Sequence, residues 1–383
     1  MVVVALVALS GCAGGVVTKE SEPTSPAATL GATSTSTAAT ATTASAPAPW
    51  PVSMIPPGEV VFNCAGICLG EADGSDVDQV ASDAADASWS PDGALLAYRR
   101  SADAFRVDFD RELVVRDVAS GEERVVAEFT EILSSARSPV WSYDGSILAV
   151  RSDHRESPTD ILIAASDGSW SRPLTDDESR EGLPTWSPVD LRLAYVSERD
   201  GTPDVYIVDI VAGTQIRVTN DDAFEFGLVW LSDGRLVFIK NGDLYVLALD
   251  TLAEFQLTTT GNYFHVVPQG DITLPVSPDG KCVAAVFGPS GGATTPEDSR
   301  IHVLCLDGVE LTGIVDAGNG TVATWTGDSR FLLTHRWDET GAELYSVWMV
   351  DLATGQVAPF PLPPRSATAY SWAAWAPRWR PQP

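Results

Sequence analysis

Trp89-Ser90-Pro91-Asp92-Gly93, followed by Leu96-Ala97-Tyr98, is the stretch on which the reading of this chain turns. Pro presets φ and Gly accepts positive φ, so Pro-Asp-Gly builds a tight turn. A bulky residue before that turn and a short apolar run after it form the two arms of a hairpin. The pattern then recurs. Trp141-Ser142-Tyr143-Asp144-Gly145 and Trp186-Ser187-Pro188 are clear copies. Trp230-Leu231-Ser232-Asp233-Gly234, Val276-Ser277-Pro278-Asp279-Gly280 and Trp325-Thr326-Gly327-Asp328 are degenerate ones, and Trp375-Ala376-Pro377 is the last. Successive anchors lie 52, 45, 44, 46, 49 and 50 residues apart.

Within each period the same short runs follow in order. A second apolar run comes after the turn (Leu148-Ala149-Val150, Leu193-Ala194-Tyr195, Val237-Phe238-Ile239). A third run usually ends in Asp (Val205 to Asp209, Leu244 to Asp250), and a Gly-containing turn leads into a fourth run closing near Leu-Thr or Val-Thr (Leu174-Thr175, Val218-Thr219, Leu257-Thr258). Four β-rich runs per period make a four-stranded antiparallel blade, and a period of this length marks a β-propeller. No segment sustains a helical period. The anchor side chain is suited to fill the wedge between blades, so Trp-Ser-Pro-Asp-Gly is read as architecture and given no chemistry. The fold class is all-β. Seven blades are expected, with six as the alternative if Val276 is not a true anchor. Val60–Phe62, Ile67–Leu69 and Val77–Val80 supply the second to fourth strands of a blade without a first strand, and Ser371–Pro377 is a first strand without followers. Pairing the two chain ends closes the ring and removes an open edge.

The motif resembles the propeller repeats of the TolB C-terminal domain and of the WD40-like PD40 family, also seen in the propeller of dipeptidyl peptidase IV-type enzymes. The resemblance covers roughly residues 58–379. It implies the fold and leaves function open. The chain departs from TolB in showing no recognisable α/β segment ahead of the repeat.

Ahead of the propeller, expected over residues 51–383, the chain reads as an address and a tether. The apolar run Val2–Leu9 is too short to span a bilayer. It ends in Leu9-Ser10-Gly11-Cys12, which resembles the lipobox of bacterial lipoproteins and implies acylation of Cys12 after removal of a signal peptide over residues 1–12. Residues 13–50 are Ser, Thr, Ala and Pro with almost no large apolar side chains. Such a segment cannot offset its chain entropy and is read as a disordered tether reaching roughly 35 Å.

The formal net charge of -28 disfavours nucleic acid and anionic lipid as partners, leaving the lipid anchor as the membrane contact. With Cys12 assigned to the anchor, Cys64 and Cys68 flank a short turn, while Cys282 and Cys305 fall on the second and third strands of one blade. Both pairs are placed for disulfides in an oxidising compartment, worth ~2 and ~3.5 kcal/mol. Free thiols and a metal site are the alternatives, although Cys64-x-x-x-Cys68 is poor zinc spacing.

Catalytic signatures are absent from the sequence: no G-x-S-x-G, Walker A, H-E-x-x-H or EF-hand loop. The four histidines, His154, His265, His302 and His335, fall on different blades. The candidate site is the mouth built by the loops from each fourth strand to the next anchor. It contains Asp83, Asp86, Arg137, Glu178, Arg180, Glu181, Asp221, Asp222, Glu225, Tyr263, His265, Arg365 and Tyr370. Carboxylates predominate there, which suits a cation, a basic peptide or a polyhydroxy ligand. Asp108, Asp110 and Glu112 form a second candidate, for Ca²⁺; no other cofactor is expected. The reading is therefore a monomeric, extracytoplasmic, lipid-anchored scaffold binding an envelope protein, peptide or glycan. Its alternative is a channel-centred enzyme, such as a metal-dependent lactonase, lyase or glycosidase.

Overall fold

The computed structural model describes residues 55, 58–64, 66–101, 110–133, 138–152, 159–261, 263–264, 274–288, 299–336, 346–360 and 378–379. All lie in one compact unit, Pro47–Pro383. These residues form seven four-stranded sheets, in each of which the strands follow one another antiparallel from first to fourth. Blades 1 to 6 occupy residues 84–133, 140–173, 181–217, 225–256, 263–319 and 321–359. Blade 7 combines Arg378–Trp379 with Glu59–Asn63, Ile67–Glu71 and Asp78–Ala81. The count is seven, and Val276 is a true anchor, bridged to Val283 across its hairpin.

Ring closure joins the two ends of the propeller as expected. Val60 pairs with Trp379 and Val61 with Arg378, while Ser371–Pro377 lies outside the described residues.

The repeated turn is held by side chains as well as by Pro and Gly. Ser90 Oγ donates to Asp92 Oδ1 at 2.6 Å and accepts the Leu95 N–H at 2.9 Å, while Asp92 Oδ1 also accepts the Ala94 N–H. Ser142 with Asp144, Ser277 with Asp279 and Thr326 with Asp328 repeat the arrangement. Gly93 takes the left-handed position at φ 69; in blade 6, where Gly327 falls too early, Ser329 takes it at φ 59. The anchor tryptophans do more than fill space. The indole N–H of Trp141 donates to Ser88 O, Trp186 to Val140 O, Trp230 to Thr185 O and Trp325 to Pro275 O, at 3.0–3.2 Å. Each acceptor is the residue just before the preceding blade's anchor, so every such bond staples two blades.

The core lies between blades. Leu228, Trp230, Leu236 and Phe238 of blade 4 pack on Leu183, Ala194, Val196 and Ile207 of blade 3. The buried threonines after the fourth strands act as ties. Thr175, Thr219 and Thr258 accept the N–H of Ile161, Val205 and Leu244, and donate to Asp160, Asp204 and Asp243 at the start of the third strands. These aspartates are thereby committed to the fold. The first strands of blades 1 to 4 touch one another around the ring, so their starting ends converge on one mouth.

Candidate functional site

Four first strands, those of blades 1, 3, 4 and 6, shift register against the second strand, and three of them share one geometry at the mouth. In blades 1, 3 and 4 the pairing with the second strand shifts register, at Ala85/Ser88, Gly182/Thr185 and Phe226/Val229. Each bulge contains a left-handed residue three positions before the anchor: Asp86 (φ 58), Leu183 (φ 59) and Gly227 (φ 67). A bulge bends a strand and re-aims the residues on its far side. Here it turns the first residues of blades 3 and 4 inward. Glu181 and Glu225, each five positions before its tryptophan, are 2% and 1% exposed. The expectation had placed both on open loops; instead they are the opening residues of strands Glu181–Trp186 and Glu225–Trp230.

Glu225 sits opposite Lys240, on the face that blade 4 turns to blade 3. Neither of its carboxylate oxygens has a hydrogen-bond partner. Lys240 Nζ is 4.0 Å from Glu225 Oε1, but pairs closely with Asp221 on the preceding loop and with Glu254 at 2.7 Å. Across the seam stands Asp204 of blade 3, held by Arg217 at 2.5 Å and by Thr219. Burial, followed by the negative charge of Asp221, pushes the Glu225 carboxyl up to about 8 against the pull of Lys240. Lys240 is raised to about 12, its bonds to Asp221 and Glu254 outweighing burial.

Blade 3 carries the counterpart with different occupants. Glu181 accepts from Ser197 Oγ at 2.7 Å and lies 3.4 Å from Arg199, which also pairs with Asp177. Burial raises the Glu181 carboxyl, with the Ser197 hydrogen bond opposing. Asp177 and Asp221 both stand nine positions before their anchors, so in two adjacent blades a loop carboxylate pairs with a cation that also lies near a buried glutamate.

On the rim of blade 4 the side chain of Phe224 is exposed (57%). Its backbone N–H donates to Asn241 Oδ1 and its carbonyl accepts from Asn241 N–H, both at 3.3 Å, so the ring is presented from a fixed backbone. Asp221 and Asp222 are exposed beside it, as are Glu178 and Arg180 on the equivalent loop of blade 3. Asp83 lines an open cleft of about 330 Å³ with Gln79, Arg100 and Glu123, between blades 7 and 1. Asp86 is consumed by an ion pair with Arg99 of its own blade.

The remaining candidates fall elsewhere. Tyr263 opens the first strand of blade 5, Tyr263–Phe264. Cys12, Arg137, His265, Arg365 and Tyr370 lie outside the described residues, as does Asp108 of the Ca²⁺ candidate. Asp110 begins a strand, and Glu112 is taken by Arg100 at 2.7 Å. Among the described residues no group of three or more His, Cys, Asp or Glu side chains could hold a metal ion. The structure joins Cys64 to Cys68 and Cys282 to Cys305, with Cα atoms 5.8 and 4.0 Å apart.

Sequence reasoning missed Lys240, Arg199 and Asp177. The repeated Asp nine positions before the anchor was a legible signal for the last. Lys240 ends the second strand of blade 4 and Arg199 lies in the turn just after the second strand of blade 3, Arg192–Ser197, so both reach the mouth only through strand pairing.

Residues 66–265 match the model of the PD40 TolB β-propeller domain. The chain belongs to the TolB β-propeller family. An uncharacterized Agrobacterium fabrum protein is 24% identical to it over 257 residues, 63% of this chain and 80% of that protein. The uncharacterized peptidase YuxL of Bacillus subtilis is 26% identical over 238 residues; the match spans 56% of this chain but only 31% of the peptidase. Among solved structures, an oligogalacturonate lyase in complex with manganese superposes with a TM-score of 0.57 at 14% identity, over 75% of this chain and 82% of the lyase. At that identity the likeness is one of fold.

Proposed function

We propose that this TolB-family propeller is an extracytoplasmic, lipid-anchored scaffold whose mouth, at blades 3 and 4, binds a basic segment of a protein or peptide partner. The observation that carries this reading is Phe224, an exposed aromatic ring on a pinned backbone, with the exposed carboxylates Asp221 and Asp222 on the same loop and Glu178 on the equivalent loop of blade 3. Exposed aromatics on rigid supports are typical anchors of recognition surfaces, and charges around them set partner choice and association rate. The lipobox-like Leu9–Cys12 and the two disulfides support placement outside the cytoplasm.

The test uses the purified full chain against an array of peptides varied in charge and apolar content. Basic peptides carrying a large apolar residue are expected to bind, with affinity falling as salt rises. Phe224→Ala and Asp222→Asn should each weaken them by roughly tenfold or more. Binding indifferent to Phe224 and Asp222, or preferred by acidic peptides, would overturn the proposal. The rival is a channel-centred enzyme, favoured by the fold shared with the manganese-bound lyase. A metal bound at near-unit stoichiometry, with stability lost on chelation, would favour that reading instead.

A further inference from the structure

The Phe224 rim is fastened to blade 4 at two neighbouring points. Asp221 pairs with Lys240, and the Phe224 backbone donates to the side-chain Oδ1 of the adjacent Asn241 and accepts its N–H. Behind the first fastening is a carboxylate with unused bonding capacity. Glu225 is opposite Lys240 in the ladder, is 1% exposed, and keeps both oxygens without hydrogen bonds although an ammonium is 4.0 Å away. A buried ionised carboxylate would not tolerate this, because an uncompensated charge in a low dielectric is strongly disfavoured. The arrangement fits a protonated Glu225, with Lys240 committed to Asp221 and Glu254.

We propose that Lys240 is a two-position latch on the mouth: with Glu225 protonated, its ammonium holds Asp221 and the Phe224 rim; when Glu225 loses its proton to solvent, the ammonium moves to Glu225 and releases Asp221. The significance of this latch for binding rests on the function proposed above. The groups facing Glu225 are Asp221 from the preceding loop, Lys240 from the second strand, Glu254 from the fourth strand, and Asp204 across the seam. Asp204 is engaged by Arg217 and Thr219 on its own blade, which leaves Lys240 as the cation within reach. Glu254 stays with Lys240 at 2.7 Å and can serve as its pivot. Asp221 is kept ionised well into the acid range, since the Lys240 bond lowers its carboxyl despite partial burial, so the ionisation that throws the latch is that of Glu225. Blade 3 shows what the same position looks like without a latch: Ser197 replaces the lysine, and Glu181 is hydrogen-bonded to it at 2.7 Å.

The test is the ¹⁹F resonance of 4-fluorophenylalanine placed at position 224 of the full chain, followed from pH 6 to pH 10 without any partner. A single transition with a midpoint near 8 is expected in the otherwise unaltered protein. Glu225→Gln should hold the low-pH resonance throughout, and Lys240→Met should show the released resonance at every pH. Near-UV circular dichroism checks that both variants keep their packing. A flat titration in the parent, or a midpoint that survives Glu225→Gln, would overturn the latch. Since no partner is present, an intact titration in a protein that binds no peptide would remove the proposed function and leave the latch standing.

Discussion

Glu225 illustrates how one residue's environment becomes a property of the whole fold. Its carboxyl is raised from 4.5 to about 8, chiefly by burial and then by Asp221. Below pH 4.5 the group is protonated whether the chain is folded or unfolded, and contributes no pH dependence. Between those two values the unfolded chain releases the proton while the folded chain keeps it, so stability falls as pH rises, and the full loss is present above about 8. Glu225→Gln, which cannot ionise, should therefore stay within about 1 kcal/mol of the parent near pH 5 and be more stable by about 4–5 kcal/mol near pH 9. Denaturant melts at the two pH values measure this. A variant no more stable at pH 9 than the parent would show that folding does not raise this carboxyl. Nothing in the sequence separates Glu225 from its exposed neighbours Asp221 and Asp222; the bulge at Phe226/Val229 does, by turning this one side chain into the seam.

At the scale of the element, the blade is a unit that cannot bury its own faces, and the repeat encodes how neighbours are joined. The turn chemistry was legible because it is local: Ser, Pro, Asp and Gly act within five residues of one another. The role of the anchor was legible only in part. A tryptophan filling a wedge follows from its size, whereas its indole bond to the blade before depends on a carbonyl some 45 residues away, as with Trp230 and Thr185. Trp230→Phe should keep the packing and leave the buried Thr185 carbonyl without its donor, costing about 1–2 kcal/mol. Trp230→Ala should cost about 3–5 kcal/mol by opening a cavity between blades 3 and 4. Equal losses for the two variants in urea melts would refute the staple and leave packing alone. The Leu-Thr and Val-Thr endings were visible as a pattern, yet their function as ties to Asp160, Asp204 and Asp243 needed the folded blade.

For the whole molecule, closure and covalent chemistry act at the ends of the ring. Pairing Arg378–Trp379 with Glu59–Asn63 covers an edge that would otherwise template association. Deleting residues 378–383 should lower the melting temperature and promote self-association, read by light scattering; an unchanged monomer would mean that the other three strands of blade 7 suffice. The proposed address adds a mass prediction. Protein extracted from membranes of an expressing bacterium should begin at an acylated Cys12 and lack the four hydrogens removed by two disulfides. Cys12→Ala should appear in the soluble fraction. An unmodified Cys12 in a membrane-free protein would contradict the anchor.

The sequence by itself determined the propeller, its blade period, the turns, the closing of the ring by its two ends and the alignment of the cysteines. All of these follow from local turn chemistry and alternation repeated at a fixed spacing. Only the tertiary structure decided which mouth carboxylates are buried, that Lys240 and Arg199 join them, and that Phe224 stands exposed. Those outcomes depend on cross-strand register and on the facing blade, and burial in a seam is a property of two blades together.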